Sequence, residues 1–368
     1  MNKKRGQEIK NTLDSVDASL LAIICAMLFG FLIMLAFNPS SAGAAFLKLL
    51  SGGAAAGRKG MGQVLYYAAP YILIGLSVAF SFQTGIFNMG ATGQFTMGAL
   101  AAIFVGGLGG AMPASIRWIA ALLAAGAAGM VWAAVPGLLK AYRGANEVIA
   151  CIMMNYIAMY MSNELIFKVY YDKTLVSTKY VLSDSILPKA GMDVLFPGSS
   201  AGSGILIALI FVAAVYIILY KTSFGFGLRA SGKNLEASRY AGVSEKKNIA
   251  TVMLIGGLIA GIGGGILHLS AVTKTLNMQE SFIAEASYAL PIALLANNHP
   301  VGVIFTSLFM AWLTVGSTMV QSEGFPTETV TMLTAIIFYF SALAFVFRKG
   351  IEMWKMKKNL GSIKEGRN

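Results

Sequence analysis

The sequence predicts an all-α fold: a polytopic transmembrane helical bundle of about ten spans, with two inverted-repeat halves and some broken or re-entrant helices. Composition is the first observation behind it. Of 368 residues, 57% are hydrophobic and 12% charged, about half the roughly 25% that a water-covered domain carries. Distribution is the second. Gly60 to Ile116 runs 57 residues without an Asp, Glu, Lys or Arg; Ala18 to Leu47 gives 30, Ala286 to Ser322 gives 37 and Thr329 to Phe347 gives 19. A hydrocarbon core of roughly 30 Å takes about 20 apolar residues per helix, so each run holds one or two spans.

The charge gaps place the spans near 19–37, 64–82, 88–106, 116–140, 145–166, 204–220, 249–271, 284–296, 301–320 and 329–347. The third is glycine-rich and the eighth short, so both are expected to be broken or re-entrant. An even number of spans puts both termini on one side. If that side is the cell interior, inner segments hold 19 of the 28 Lys and Arg residues, the asymmetry that orients membrane helices. This leaves tails at 1–15 and 356–368, a membrane domain over 16–355, an external loop at 167–203 and a basic internal loop at 221–248. No connecting segment is large enough for a separate soluble domain.

The net charge of +12 would suggest nucleic acid in a soluble protein. Here it belongs to loops and tails facing lipid head groups, and no nucleic-acid partner is expected. Lys3, Lys4 and Arg5 precede an apolar run, and Ser41 to Ala44 resembles a signal-peptidase site. The run from Ala18 to Phe37 exceeds the h-region of a signal peptide, so the first helix is expected to stay uncleaved. Cys25 and Cys151 both lie in apolar runs and read as small packing residues, with no disulfide and no metal site. Phe87 to Gln94 and Phe282 to Tyr288 each open an apolar segment. With spans 2 and 7 running in opposite directions, spans 2–5 and 7–10 form the expected inverted halves around a midplane site.

Polar residues inside apolar runs are the next signal, because they are costly in lipid and usually face a cavity or a neighbouring helix. Gln83, Asn88, Gln94, Asn155 and His268 are such residues. For each, a helix–helix hydrogen bond competes with contact to a passing solute. Phe87, Tyr156 and Tyr288 offer rings for stacking, against lipid or core packing as the plainer role. We take Phe87, Asn88, Gln94, Asn155, Tyr156 and Tyr288 as the candidate solute pathway. No Asp or Glu falls mid-span; Glu147, Glu164 and Glu285 lie near predicted ends, which argues against an ion-coupled carrier with a buried titratable group. No catalytic motif is visible, and His268 and His299 fall on opposite faces as poor metal partners.

The internal loop carries a near miss. Gly227 to Asn234 approaches the phosphate-loop pattern, but Asn234 stands where a Ser or Thr hydroxyl is needed, and no strand precedes it. Nucleotide binding is not expected there. The stretch reads better as a docking element. Asn234 caps a short helix and Gly242 ends it. Leu235, Ala237, Tyr240 and Ala241 form an apolar surface rimmed by Lys233, Glu236 and Arg239, suited to a partner's groove, or to lipid head groups in the plainer reading.

These segments resemble a known family. Gly144 to Ile149 with Met153 to Ile157, Phe87 to Gln94, Leu228 to Val243, and Ala289 to Ala296 with Pro300 and Gly302 are similar to bacterial nucleoside ABC transporter permeases. The wider group includes permeases for ribose, other simple sugars and branched-chain amino acids. The resemblance covers roughly residues 60–347, and the pair Asn146–Glu147 favours the nucleoside branch. Thr92, where a Glu is expected, and the polar triplet Asn297–Asn298–His299 depart from the pattern.

The resemblance implies a non-enzymatic transport subunit in a bacterial cytoplasmic membrane, with both termini inside. It implies a separate ABC ATPase subunit that carries ATP and Mg, with no cofactor on this chain. A second permease chain, often non-identical, and an extracytoplasmic binding protein or lipoprotein complete the assembly. Arg229, Asn234, Glu236, Arg239, Tyr240 and Gly242 would couple to the ATPase. A simple-sugar importer of the same architecture, an ion-coupled secondary transporter and a membrane-embedded enzyme are the alternatives.

Overall fold

In a computed structural model of the chain, the residues described are 21–108, 113–174, 176–234, 238, 240, 242, 244–270, 272, 274–326, 328–329, 331–336, 339–340 and 343. Their helices follow the apolar runs. They are α1 (Leu21–Phe37), α2 (Pro39–Ser51), α3 (Gly57–Gln83), α4 (Ala91–Gly107), α5 (Ala114–Arg143) and α6 (Glu147–Leu165). Next come α7 (Met192–Leu195), α8 (Gly204–Lys221), α9 (Ser223–Lys233), α10 (Glu245–His268), α11 (Ala284–Ser287), α12 (Ala289–Leu295) and α13 (Pro300–Val320). Among the described residues, six helical stretches are long and apolar enough to cross a membrane, and three shorter apolar helices accompany them.

Nine of the ten expected spans thus correspond to helices. The tenth, at 329–347, lies partly outside the described residues. The eighth is broken as expected: α11 and α12 are separated at Tyr288. Residues 39–51, between the first two expected spans, form α2; Pro39 occupies the helix's first position, where its missing N–H costs nothing. The all-α fold carries one small exception: Tyr171–Asp172 pairs antiparallel with Ser177–Thr178 in the external loop. Thr178 adds backbone and side-chain bonds to Leu276, which satisfies polar groups of a loop that packs inward.

The chain divides into two compact units, 1–50 with 316–368, and 51–315. In the first, the Phe31 ring packs tilted against Phe46 at 4.9 Å between ring centroids. Lys48 pairs with Glu323 and donates to the Ser322 hydroxyl at 2.8 Å.

The second unit is organised around α3 and α10, which are buried along most of their length, whereas α5, α6 and α8 keep broad faces outward. Leu123, Val131, Ile210 and Phe305 are exposed, so the outer surface is apolar and suits lipid. At two points where α10 meets α4 and α5, backbone lies directly against backbone. A Cβ on Gly98 would strike the Gly261 carbonyl oxygen, and one on Gly129 that of Gly257. Small residues let membrane helices approach until their backbones touch. Gly261→Val therefore forces these helices apart. It should cost about 3 kcal/mol or more, at the upper end of overpacking penalties, and abolish the monodisperse peak on detergent size-exclusion, while Leu123→Val on the outer face leaves that peak unchanged.

Candidate functional site

The turn between α3 and α4 is built around three buried amides. Asn88 Nδ2 donates to Gln94 Oε1 and Gln94 Nε2 donates to Asn88 Oδ1, both at 3.1 Å. Asn88 Oδ1 also accepts the Gly90 amide at 3.1 Å. Asn155 reaches across from α6: its Oδ1 accepts the Gly93 N–H at 2.9 Å and its Nδ2 donates to the Met89 carbonyl at 2.8 Å. The first N–H groups of a helix lack internal partners, and Gly90 offers no capping side chain. Asn155 supplies the missing cap from another helix. Sequence reasoning placed Asn88, Gln94 and Asn155 on the solute path; the structure brings all three together and engages every amide heavy atom inside the protein.

The aromatic candidates lie elsewhere. Phe87 packs edge-on to Phe82 at 4.7 Å. Tyr156, largely exposed, rests on Phe282 at 4.9 Å. Tyr288 meets Tyr71 of α3 edge-on, also at 4.9 Å. Tyr71 escaped the sequence reading because α3 carries no charge after Lys59. Its signal was the Tyr67–Tyr71 spacing, which puts two rings on one helix face.

The two departures from the family pattern differ in how far the structure accounts for them. Asn297 and Asn298 have φ of 50° and 57° in the turn between α12 and α13, a left-handed backbone that Asn tolerates better than most residues. His299 lies against Tyr220 at 5.5 Å, and burial holds its imidazole below the ordinary histidine range. Thr92 makes only a long bond, 3.5 Å, to the Ala286 carbonyl. The Asn146–Glu147 pair has a local role: the Asn146 side chain caps α6 by accepting the Val148 N–H at 2.9 Å, and Glu147 pairs with Lys140 at 2.7 Å.

That ion pair borders a cavity of about 300 Å³ where the ends of α3, α5 and α9 meet the starts of α6 and α10; Lys233, Glu245 and Asn248 also line it. Here α9 touches α3 through glycine. A Cβ on Gly85 would lie 2.6 Å from Gly232 Cα, and one on Gly232 would lie 2.6 Å from the Thr84 carbonyl carbon.

The near phosphate-loop sequence is helical, Gly227 to Lys233 being part of α9, so no phosphate-cradling loop exists there. The Arg229 guanidinium lies over the Tyr220 ring at 4.7 Å. Asn234 closes α9 by donating its N–H to the Ala230 carbonyl at 3.0 Å, and its own carbonyl accepts the Ser238 N–H at 3.1 Å. Ser238 and Tyr240 are helical, Tyr240 is 95% exposed, and Gly242 has φ 80°. Glu236 and Arg239 lie outside the described residues.

Apolar helices with their polar groups turned inward define a multi-pass membrane protein. Residues 60–342 match the family model described as "Branched-chain amino acid transport system / permease component", and the chain belongs to that family of ABC transporter permeases. It is 37% identical to the guanosine ABC transporter permease protein NupP of Bacillus subtilis, over 92% of this chain and 96% of the relative. It is 30% identical to the nucleoside ABC transporter permease protein NupB of Lactococcus lactis, over 92% and 93% of the two chains. It is 31% identical to the glucose ABC transporter permease protein TsgB13 of Haloferax volcanii, over 90% and 88%. No solved structure matches the chain.

Asn155→Ala leaves the Gly93 N–H and the Met89 carbonyl unpartnered in an apolar interior. The expected loss is about 1–3 kcal/mol per orphaned group, read as earlier thermal unfolding in detergent. An unchanged melting temperature would show that Asn155 fastens nothing.

Proposed function

We propose that this chain is the permease subunit of an ATP-driven importer of nucleosides, and that it forms an alternating-access pathway in the bacterial cytoplasmic membrane. The observation that carries this reading is end-to-end similarity to two permeases named for guanosine and nucleosides. A simple sugar is the second reading, supported by the similar glucose permease.

In this proposal the chain performs no chemistry. ATP and Mg sit on a separate ATPase, which grips the turn from Asn234 to Gly242 through the projecting Tyr240 ring, with Arg229, Glu236 and Arg239 at its margin. A pull on that turn passes through α9 to Gly232. Gly232 bears on Gly85 without an intervening side chain, so the motion reaches the amide-pinned turn at Asn88. A second permease chain completes the pathway; Bacillus subtilis and Lactococcus lactis each hold two permeases similar to this one. An extracytoplasmic binding protein or lipoprotein delivers solute. Ten spans in two inverted halves, with both basic termini inside, complete the topology, and the lysine and arginine distribution supports that orientation.

Arg239→Glu combined with Tyr240→Ala should leave the transporter assembled, with solute-stimulated ATP hydrolysis and uptake both reduced at least about tenfold, the effect of losing roughly 1.4 kcal/mol of contact. Uptake of labelled guanosine, uridine, ribose and leucine in vesicles, with and without ATP, checks the solute and the energy source together. Flux that persists without ATP and collapses with an uncoupler would overturn the ABC reading.

A further inference from the structure

A second polar site lies half-way along α3. Pro70 has thirteen residues of this helix on either side, which puts it roughly 20 Å from each end at 1.5 Å per residue. It cannot donate to the Tyr66 carbonyl, so the helix is weakened at that point. Facing it, α11 and α12 are interrupted at Tyr288. Irregular backbone at membrane depth is tolerated where it lines a cavity or is buried in protein.

The rings of Tyr67, Tyr71 and Tyr288 gather there. Tyr67 stacks on Tyr71 at 6.2 Å and Tyr71 meets Tyr288 at 4.9 Å. Tyr71 is buried and forms the floor, its hydroxyl 3.3 Å from that of Thr314. Tyr67 and Tyr288 are only half-buried, and Tyr67 bonds the Gln63 side chain. Glu285 completes the group: it lies in α11 three residues before Tyr288, a spacing that puts both on one face of a helical stretch. The sequence put this carboxylate near a span end, and the structure places it in the short helix that leads into Tyr288.

Glu285 has no ion-pair partner among the described residues. A lone carboxylate in a membrane interior is expensive and points to function. The combination specifies its ligand. Aromatic rings stack on a planar base. A carboxylate takes only donors, such as ribose hydroxyls or ring N–H groups. With no basic side chain paired to it, it repels phosphate.

We propose that Tyr67, Tyr71, Tyr288 and Glu285 form the mid-membrane contact station for the solute, selecting an uncharged nucleoside and excluding nucleotides. This deepens the nucleoside reading given above and rests on it. Solute stacks on Tyr67 and Tyr288 above Tyr71, and Glu285 accepts its donors.

The test uses the complete transporter in proteoliposomes, with nucleoside uptake and ATP hydrolysis measured side by side. Glu285→Gln and Tyr67→Leu should each lower the maximal uptake rate of uridine or guanosine at least tenfold, with basal ATP hydrolysis and melting temperature within twofold and a few degrees of wild type. Tyr67→Phe, which keeps the ring, should retain uptake. Wild-type uptake by both Glu285→Gln and Tyr67→Leu, from a transporter that carries nucleosides, overturns the station alone. A wild-type transporter that carries ribose or leucine and no nucleoside overturns the proposed solute and the station together. If Glu285→Gln fails to assemble, the Tyr67 pair decides: equal uptake by Leu and Phe refutes the station, and loss with Leu alone supports it.

Discussion

Lipid offers no hydrogen bonds, so every polar group placed at membrane depth must find its partner inside the protein. This constraint organises the second unit. The turn after α3 breaks a helix among apolar neighbours and would strand several backbone groups. Asn88 and Asn155 take up the Gly90, Gly93 and Met89 groups, Gln94 pairs with Asn88, and Asn155 ties α6 to the start of α4. Ser77 does the same on a smaller scale, donating to the Gly256 carbonyl of α10 at 2.7 Å. The polar content of the membrane region is small, and most of it is fastening.

That explains which features were legible in the sequence. Charge-free runs marked α1, α3 to α6, α8, α10 and α13, because burial of twenty apolar residues leaves little alternative to a membrane helix. The broken eighth span was legible from its shortness. The end of α9 at Asn234 and the left-handed backbone at Gly242 were legible from residue type, because both effects are local in sequence. The hairpin at 171–178 was not, since it depends on Leu276, nearly a hundred residues away. α2 was hidden by the proline and glycines that flank it.

The candidate pathway was legible only in part. Residue type alone cannot tell an Asn that pins a turn from one that faces a cavity, because both are polar residues in an apolar run. Asn155 shows the difference: its two amide atoms are both consumed by backbone groups of a helix remote in sequence. Tyr67 and Tyr71 gave a helical spacing, and the partner ring on Tyr288 could be found only in three dimensions.

The glycine contacts carry one more implication. Where α10 lies backbone to backbone against α4 and α5, no side chain can rotate, bend or slide to absorb a displacement. At those contacts the three helices have the least room to shift against one another. Any cycle that exposes a passage first to one side and then to the other has to find its give elsewhere in this unit. The proline in the middle of α3 and the gap between α11 and α12 are the places where the backbone is already interrupted.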